Sequence, residues 1–147
     1  TSYNGSGAVT IAIDSTVTTL TGTQTLTNKA LSAFDQKTGT TTVSNQSVTQ
    51  AIVSTTTSTA VDTFAVATYR SAKYLVQITQ GTNYQVSEIM VIHNGTTTTM
   101  TEYCMMNTNG VLGTFATDIS TTNARLLVTM ASATSATINI TRTTIVV

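Results

Sequence analysis

Apolar and polar residues alternate along much of the chain, with the period of a β-strand. Tyr74, Val76 and Ile78 alternate with Lys73, Leu75 and Gln77. Phe64 and Val66 begin a similar run earlier, and Ile138, Ile140 and Val146 share one face of a later one. Successive side chains of a strand point to opposite faces, so each run predicts a strand with one buried face. The longest pair of runs, over residues 84–106, flanks Asn94-Gly95. A two-residue type I′ turn needs positive φ at both central positions, and Asn-Gly tolerates that best. The spacing therefore predicts a hairpin that sets Ile92 against Thr97, Met90 against Thr99, Glu88 against Thr101 and Val86 against Tyr103. One face of this hairpin carries Tyr84, Val86, Met90, Ile92, Tyr103 and Met105, and is expected to be the core face. The other mixes Ile89, Val91, Met100, Cys104 and Met106 with Ser87, His93, Glu102 and threonines. A ribbon apolar on both faces needs cover on both, from a second sheet and a neighbouring chain.

Further strands are expected near 111–117, at 125–130 and at 137–147, with turns at Gly81-Thr82-Asn83 and Asn107-Thr108-Asn109-Gly110. Strands separated by turn clusters, with no helix between them, predict an all-β fold: an antiparallel, jelly-roll-like β-sandwich over residues 57–147. Residues 1–56 read differently. Val9, Ile11 and Ile13 alternate in a short strand, after which Val17, Leu20, Leu26 and Leu31 are too sparse to make a core within one chain. This segment is expected to be an extended, oligomerising arm. Residues 35–47 look polar and loop-like. Ser47-Val48-Thr49-Gln50 fits a capping box, predicting one or two helical turns from Ala51. Thr55-Thr56-Thr57 reads as the joint between arm and head.

Composition sharpens this picture. Charged residues make up only 8% of the 147-residue chain and the formal net charge is zero, whereas soluble domains carry roughly a quarter charged residues. Threonine, about a quarter of the chain, takes their place. It is β-branched and gives a polar surface without charge. Lys29, Lys37, Arg70, Lys73, Arg125 and Arg142 are scattered, which argues against nucleic acid as a partner. No apolar run approaches the roughly 18 residues of a membrane span, so no membrane insertion is expected. The lone Cys104 excludes a disulfide within the chain. The chain begins at Thr1 without an initiator methionine, which suggests processing or a longer polypeptide.

Candidate chemistry is thin. His93, the only histidine, is expected to be solvated at the hairpin tip. Cys104, Met100, Met105 and Met106 with His93 would suit a soft metal, but in the predicted register Cys104 lies about 27 Å along the strand from the residue facing His93. Glu88 and Glu102 fall on opposite faces, so they do not form the paired acids of a glycosidase. Neither a nucleophile elbow nor a dense Asp/Asn calcium loop occurs. No catalytic, metal or cofactor-binding residue is assigned, and no enzyme activity is expected. Tyr69, Tyr84 and Tyr103 could stack on sugars, though tyrosines on strands more often serve the core.

Two stretches carry a resemblance. Leu20-Thr21-Gly22-Thr23-Gln24-Thr25-Leu26-Thr27-Asn28-Lys29-Ala30-Leu31 resembles a module of tail-fibre and related virion proteins of tailed phages. The stretch from Thr59-Ala60-Val61-Asp62-Thr63-Phe64 through Tyr69-Arg70-Ser71-Ala72-Lys73-Tyr74-Leu75-Val76-Gln77-Ile78 to Val91-Ile92-His93-Asn94-Gly95 is similar to a C-terminal domain of structural proteins from phages of marine and freshwater bacteria, cyanophages included. Gly110-Val111-Leu112-Gly113-Thr114-Phe115 and Arg125-Leu126-Leu127-Val128-Thr129 continue it. The resemblance implies a virion protein made in the host cytoplasm, most simply a tail-fibre or appendage subunit. It would assemble as a homotrimer, join other virion proteins and contact the host surface. A capsid decoration or head-fibre protein and a glycan-binding receptor module are the alternatives. No functional residue is transferred.

Overall fold

The computed structural model describes residues 33–147. Their nine strands are β1 (Ala33–Thr38), β2 (Thr41–Val53), β3 (Thr59–Ala65), β4 (Tyr69–Gln80), β5 (Asn83–His93), β6 (Thr98–Asn107), β7 (Gly113–Ser120), β8 (Asn123–Met130) and β9 (Ala136–Val146). Every pairing is antiparallel. A larger sheet has the order β1-β2-β9-β4-β5-β6 and a smaller one the order β3-β8-β7. The expected all-β sandwich is thus present. Its two sheets are unequal, and one apolar core lies between them.

Local chemistry explains the tightest turns. Gln80 pairs with Asn83 and Ser120 with Asn123, so each of these hairpins closes over two residues. Both have positive φ at the first turn position, 61° at Gly81 and 58° at Thr121. That matches the right-handed twist of the flanking strands. Glycine accepts this conformation freely, whereas a β-branched threonine is a rare occupant.

Pairing overrides the helix expected after Ser47. Residues 41–53 form the longest strand described, and residues 44–53 pair with β9 without interruption. The capping box offers a few local hydrogen bonds. A ten-pair ladder satisfies the same backbone groups and suits the β-branched Val48, Thr49, Ile52 and Val53. Residues 35–47, expected to be a loop, are instead the β1–β2 hairpin and the start of β2. The boundary expected at 56/57 falls in the connection from β2 to β3, two strands of opposite sheets. The alternation over 9–13 and the sparse leucines of the arm lie outside the described residues.

Core packing follows the predicted period in most strands. Ala72, Tyr74, Val76 and Ile78 of β4 are buried, as are Ile138 and Ile140 of β9 and Ala124, Leu126, Val128 and Met130 of β8. Val61 and Phe64 of β3 and Leu112 before β7 complete the contact between sheets.

The predicted hairpin exists, but two features differ. Its loop is four residues, Asn94 to Thr97, with His93 opposite Thr98 and Ile92 opposite Thr99. Gly95 has φ 101°, whereas Asn94 has no positive φ. The Asn94 side chain instead accepts hydrogen bonds through Oδ1 from the amides of Thr96 and Thr97, each at 2.9 Å. That side-chain bonding stabilises a wider turn without a left-handed Asn.

More consequentially, the core face of β5 is the opposite of the one expected, while a bulge in β6 leaves Met105 on the inner side opposite Ser87, as expected. Gln85, Ser87, Ile89, Val91 and His93 are buried, while Tyr84, Met90 and Ile92 are exposed. The more polar side of β5 faces the smaller sheet because specific partners there satisfy its polar groups.

Candidate functional surface and the polar groups beneath it

The outer face of the six-stranded sheet has no sheet above it among the described residues. Register places Ile52 and Val48 of β2, Ile145 of β9, Leu75 of β4, Met90 and Ile92 of β5 and Met106 of β6 on this side. Ile52 is 73% exposed and Leu75 55%. By register these aliphatics alternate with threonines, with the amides Gln50, Asn139 and Gln77 and with Lys73 and Glu88, so the face is mixed, with several large apolar side chains standing exposed. Its charges largely cancel, because Lys73 pairs with Glu88. Glu88, and more weakly Tyr103, holds the Lys73 ammonium above its ordinary pKa.

A shallow groove of about 480 Å³ crosses the middle of this face. Its polar lining is a row of amides in cross-strand register, with Gln50 opposite Asn139 and Asn139 opposite Gln77. Gln50 donates from Nε2 to Asn139 Oδ1 at 2.7 Å. Val48, Leu75 and Val86 supply the apolar lining. Tyr84 lies beside Gln77, Val86 and Met106 at one end, and Tyr103 stands with Met90 and Ile92 near the β6 edge. Of the three tyrosines singled out from sequence, Tyr84 and Tyr103 therefore reach this exposed face. Tyr69 is only partly buried, against the core.

Among the described residues strand β6 forms one edge of the sheet, with β1 at the other, and a bulge at Tyr103 interrupts its pairing. Most of its side chains are exposed. It contains no Lys or Pro, the residues that commonly block edge pairing.

His93 is not solvated at the tip; it is only 4% exposed. Its Nε2 lies 2.7 Å from the Tyr69 carbonyl, which can only accept, so Nε2 carries the proton. Nδ1 then accepts from the Gly95 amide at 3.0 Å. With both nitrogens engaged by backbone, the ring locks the hairpin end to the start of β4. Its neighbour is Phe64, with ring centres 5.9 Å apart. Cys104 is exposed on β6 and faces Glu88 across the strands. Glu102 faces Ile89 and so lies on the opposite side from Glu88, the relation expected from sequence. Among the described residues no three His, Cys, Asp or Glu side chains stand together as a metal-ligand set.

The groups beneath the face were not singled out from the sequence. Asp62 of β3 and Arg142 of β9 form an ion pair between the sheets, with Nη1 to Oδ2 at 2.5 Å. Side-chain exposure is 11% for Arg142 and 6% for Asp62. A register shift makes Val61 an extra residue of β3, and Val61 and Asp62 are both buried. The bulge thus delivers a carboxylate to a core position. Thr49 donates to Asp62 Oδ1 at 3.2 Å, Arg142 also donates to the Thr63 carbonyl at 2.6 Å, and its guanidinium lies 5.8 Å from the Phe64 ring centre. Gln85 ties β5 to the smaller sheet: Oε1 accepts from the Leu112 amide at 2.7 Å, and Nε2 donates to the Gly113 carbonyl at 2.8 Å. The available signal was opposite charge at core-facing positions of β3 and β9, but nothing local joins two residues so distant in sequence.

No family model matches the chain, and no curated protein sequence matches it. Solved structures similar to it include the tailspike protein of Acinetobacter baumannii phage AM24, with a TM-score of 0.46 and 8% identity over 71% of this chain and 26% of that one. Another is the tailspike protein of Acinetobacter phage vB_ApiP_P1, with a TM-score of 0.38 and 14% identity over 80% of this chain and 24% of that one. The chain thus spans about a quarter of the length of either tailspike chain.

Proposed function

We propose that this chain is a structural subunit of a phage virion, a tail-fibre or appendage component that assembles as a homotrimer and uses its exposed sheet face in contacts beyond the single chain. The observation that carries the assembly reading is the outer sheet face, uncovered among the described residues, where Ile52, Leu75, Met90 and Ile92 remain exposed over a largely neutral surface. Burying such side chains contributes roughly 1.5–3 kcal/mol each, a drive to associate that a lone chain leaves unused. The phage assignment rests on the resemblance of residues 20–31 and 59–95. No catalytic step belongs to this reading, since the His93 ring nitrogens are both held by backbone groups. Native mass spectrometry of the full chain should give three copies. A single chain across micromolar concentrations would overturn the assembled form.

A second reading, a glycan-contacting module, is favoured by the amide row Gln50, Asn139 and Gln77 with Tyr84 at its end. Amides offer paired donors and acceptors to sugar hydroxyls, and an exposed tyrosine offers a stacking face. Titration of bacterial surface polysaccharide against the chain and its Tyr84→Ala variant tests it. Binding weakened by the substitution supports it, and no binding rejects it.

A further inference from the structure

Asn94-Gly95 lies at the exposed end of the β5–β6 hairpin. An asparagine followed by glycine can cyclise, because the glycine nitrogen is covalently within reach of the asparagine Cγ and no side chain crowds the ring that forms. In most settings the reaction is slow, since an amide N–H is a poor nucleophile and an amide carbonyl a poor electrophile. Here His93 Nδ1 accepts the Gly95 N–H at 3.0 Å. The other ring nitrogen carries the proton given to the Tyr69 carbonyl at 2.7 Å, so the lone pair is fixed on the Gly95 side. The imidazole thus stands within the hydrogen-bond reach required of a general base, and the backbone group it holds is itself the nucleophile.

The electrophile is prepared as well. Asn94 Oδ1 accepts from the Thr96 amide, the Thr97 amide and the Thr96 hydroxyl, each at 2.9 Å. Backbone amides can only donate, so the bonded atom is the oxygen, and Nδ2 is left as the departing group. Three donors converging on one carbonyl oxygen stabilise the negative charge that develops there during attack. A hollow of about 170 Å³, lined by His93, Asn94 and Thr97 among others, opens beside the pair and has room for a reacting water. Arg70 donates to the His93 carbonyl at 3.3 Å and the Asn94 amide to the Thr97 carbonyl at 3.2 Å, which holds the loop in this geometry. A second pair, Asn109-Gly110, lacks these partners. Its Nδ2 is tied to Asn83 Oδ1 at 3.3 Å, and no imidazole can serve it, since His93 is the only histidine.

We propose that Asn94-Gly95 is a self-modifying site, at which His93 serves as general base and the chain converts Asn94 to aspartate or isoaspartate. Nδ1 takes the Gly95 amide proton as that nitrogen bonds to Asn94 Cγ, and the carbonyl electron pair moves onto Oδ1. Collapse breaks the Cγ–Nδ2 bond, the imidazolium proton passes to the leaving nitrogen, and ammonia departs. Water then opens the succinimide at either carbonyl. A water enters, an ammonia leaves, and nothing is oxidised or reduced. The product adds a negative charge to a chain of zero formal net charge. Opening to isoaspartate also lengthens the backbone by a methylene, which takes the loop out of the geometry that Thr96 and Thr97 now bond.

The test incubates the full chain at neutral pH, folded and in urea, and follows Asn94 and Asn109 by peptide mapping with mass spectrometry. A folded backbone ordinarily slows this chemistry, and Asn109 should convert more slowly folded than in urea. A positioned base contributes about 10²–10⁴-fold. Even after the restricted backbone offsets part of that, Asn94 should convert about tenfold or more faster folded than in urea. His93→Gln keeps a donor for Tyr69 and an acceptor for Gly95 but has no basic nitrogen. It should bring the Asn94 rate down to its value in urea or below, and should leave Asn109 unchanged. A variant whose tip came loose would give the urea value too, so the comparison with the unmodified chain survives local unfolding. Thr96→Val should slow Asn94 by a smaller factor, through the lost hydroxyl. Protection of Asn94 by folding, as at Asn109, would overturn the proposal, and an Asn94 rate unchanged in His93→Gln would remove His93 as the base.

Discussion

The inner and outer faces of β5 reverse the usual relation between polarity and burial. Its outer side presents Tyr84, Val86, Met90 and Ile92, interrupted only by Glu88, and Tyr84, Met90 and Ile92 are exposed. Its inner side presents Gln85, Ser87 and His93 around Ile89 and Val91, yet all five are buried. The difference lies in partners. Gln85 meets the Leu112 and Gly113 backbone, and His93 meets Tyr69 and Gly95. The apolar outer residues have no partner layer among the described residues. Hydrophobicity alone thus ranks the two faces wrongly, because burial of a polar group depends on whether its hydrogen bonds are met.

If the inner face owes its burial to satisfied polar groups, removing one member of the Asp62–Arg142 pair should be the most damaging change. Arg142→Ala strands a carboxylate that is only 6% exposed, and should lose about 3–5 kcal/mol of stability. Urea unfolding measures this directly. A loss under about 1 kcal/mol would mean that water reaches Asp62 and that the ion pair does little to hold the sheets.

Gln85→Leu sharpens the comparison in a different way. On a simple hydrophobic scale this substitution should improve a core. Here it removes the partner of the Leu112 amide and the Gly113 carbonyl, and about 2–3 kcal/mol should be lost. Hydrogen exchange should also quicken, relative to β4 and β9, at the Leu112 and Gly113 amides, which both donate to Gln85 Oε1. Greater stability in the variant would show that polarity at this position is incidental.

The smallest effect on a single chain is expected from the outer face. Leu75→Thr, at a position 55% exposed, should leave intrinsic stability within about 0.5 kcal/mol. Its consequence should appear in assembly: sedimentation at falling concentration should show the variant dissociating before the unmodified chain. Equal dissociation would remove Leu75 from the contact surface.

Much of the architecture is legible in the sequence. Period-two alternation marks the strands holding Phe64, Tyr74, Val76, Leu126 and Ile138, and Gly81 and Gly95 mark turns where positive φ is required. These signals are local, since side-chain direction and backbone conformation are set within a few residues. The β7–β8 turn is hidden because Thr121 occupies a position where glycine would have announced it. The strand over residues 41–53 is hidden because a capping signal competes with a ladder to β9, nearly a hundred residues away.

The candidate surface is divided in the same way. Tyr84 and Tyr103 could be singled out as residue types, but their exposure follows from which side of β5 the smaller sheet covers. That choice depends on the Asp62–Arg142 pair, the Gln85 contacts and the two backbone partners of His93. The sequence by itself determined where strands run and which residues share a face. Tertiary structure alone decided which face is buried, because the hydrogen bonds and ion pair that make polar burial tolerable join residues distant along the chain.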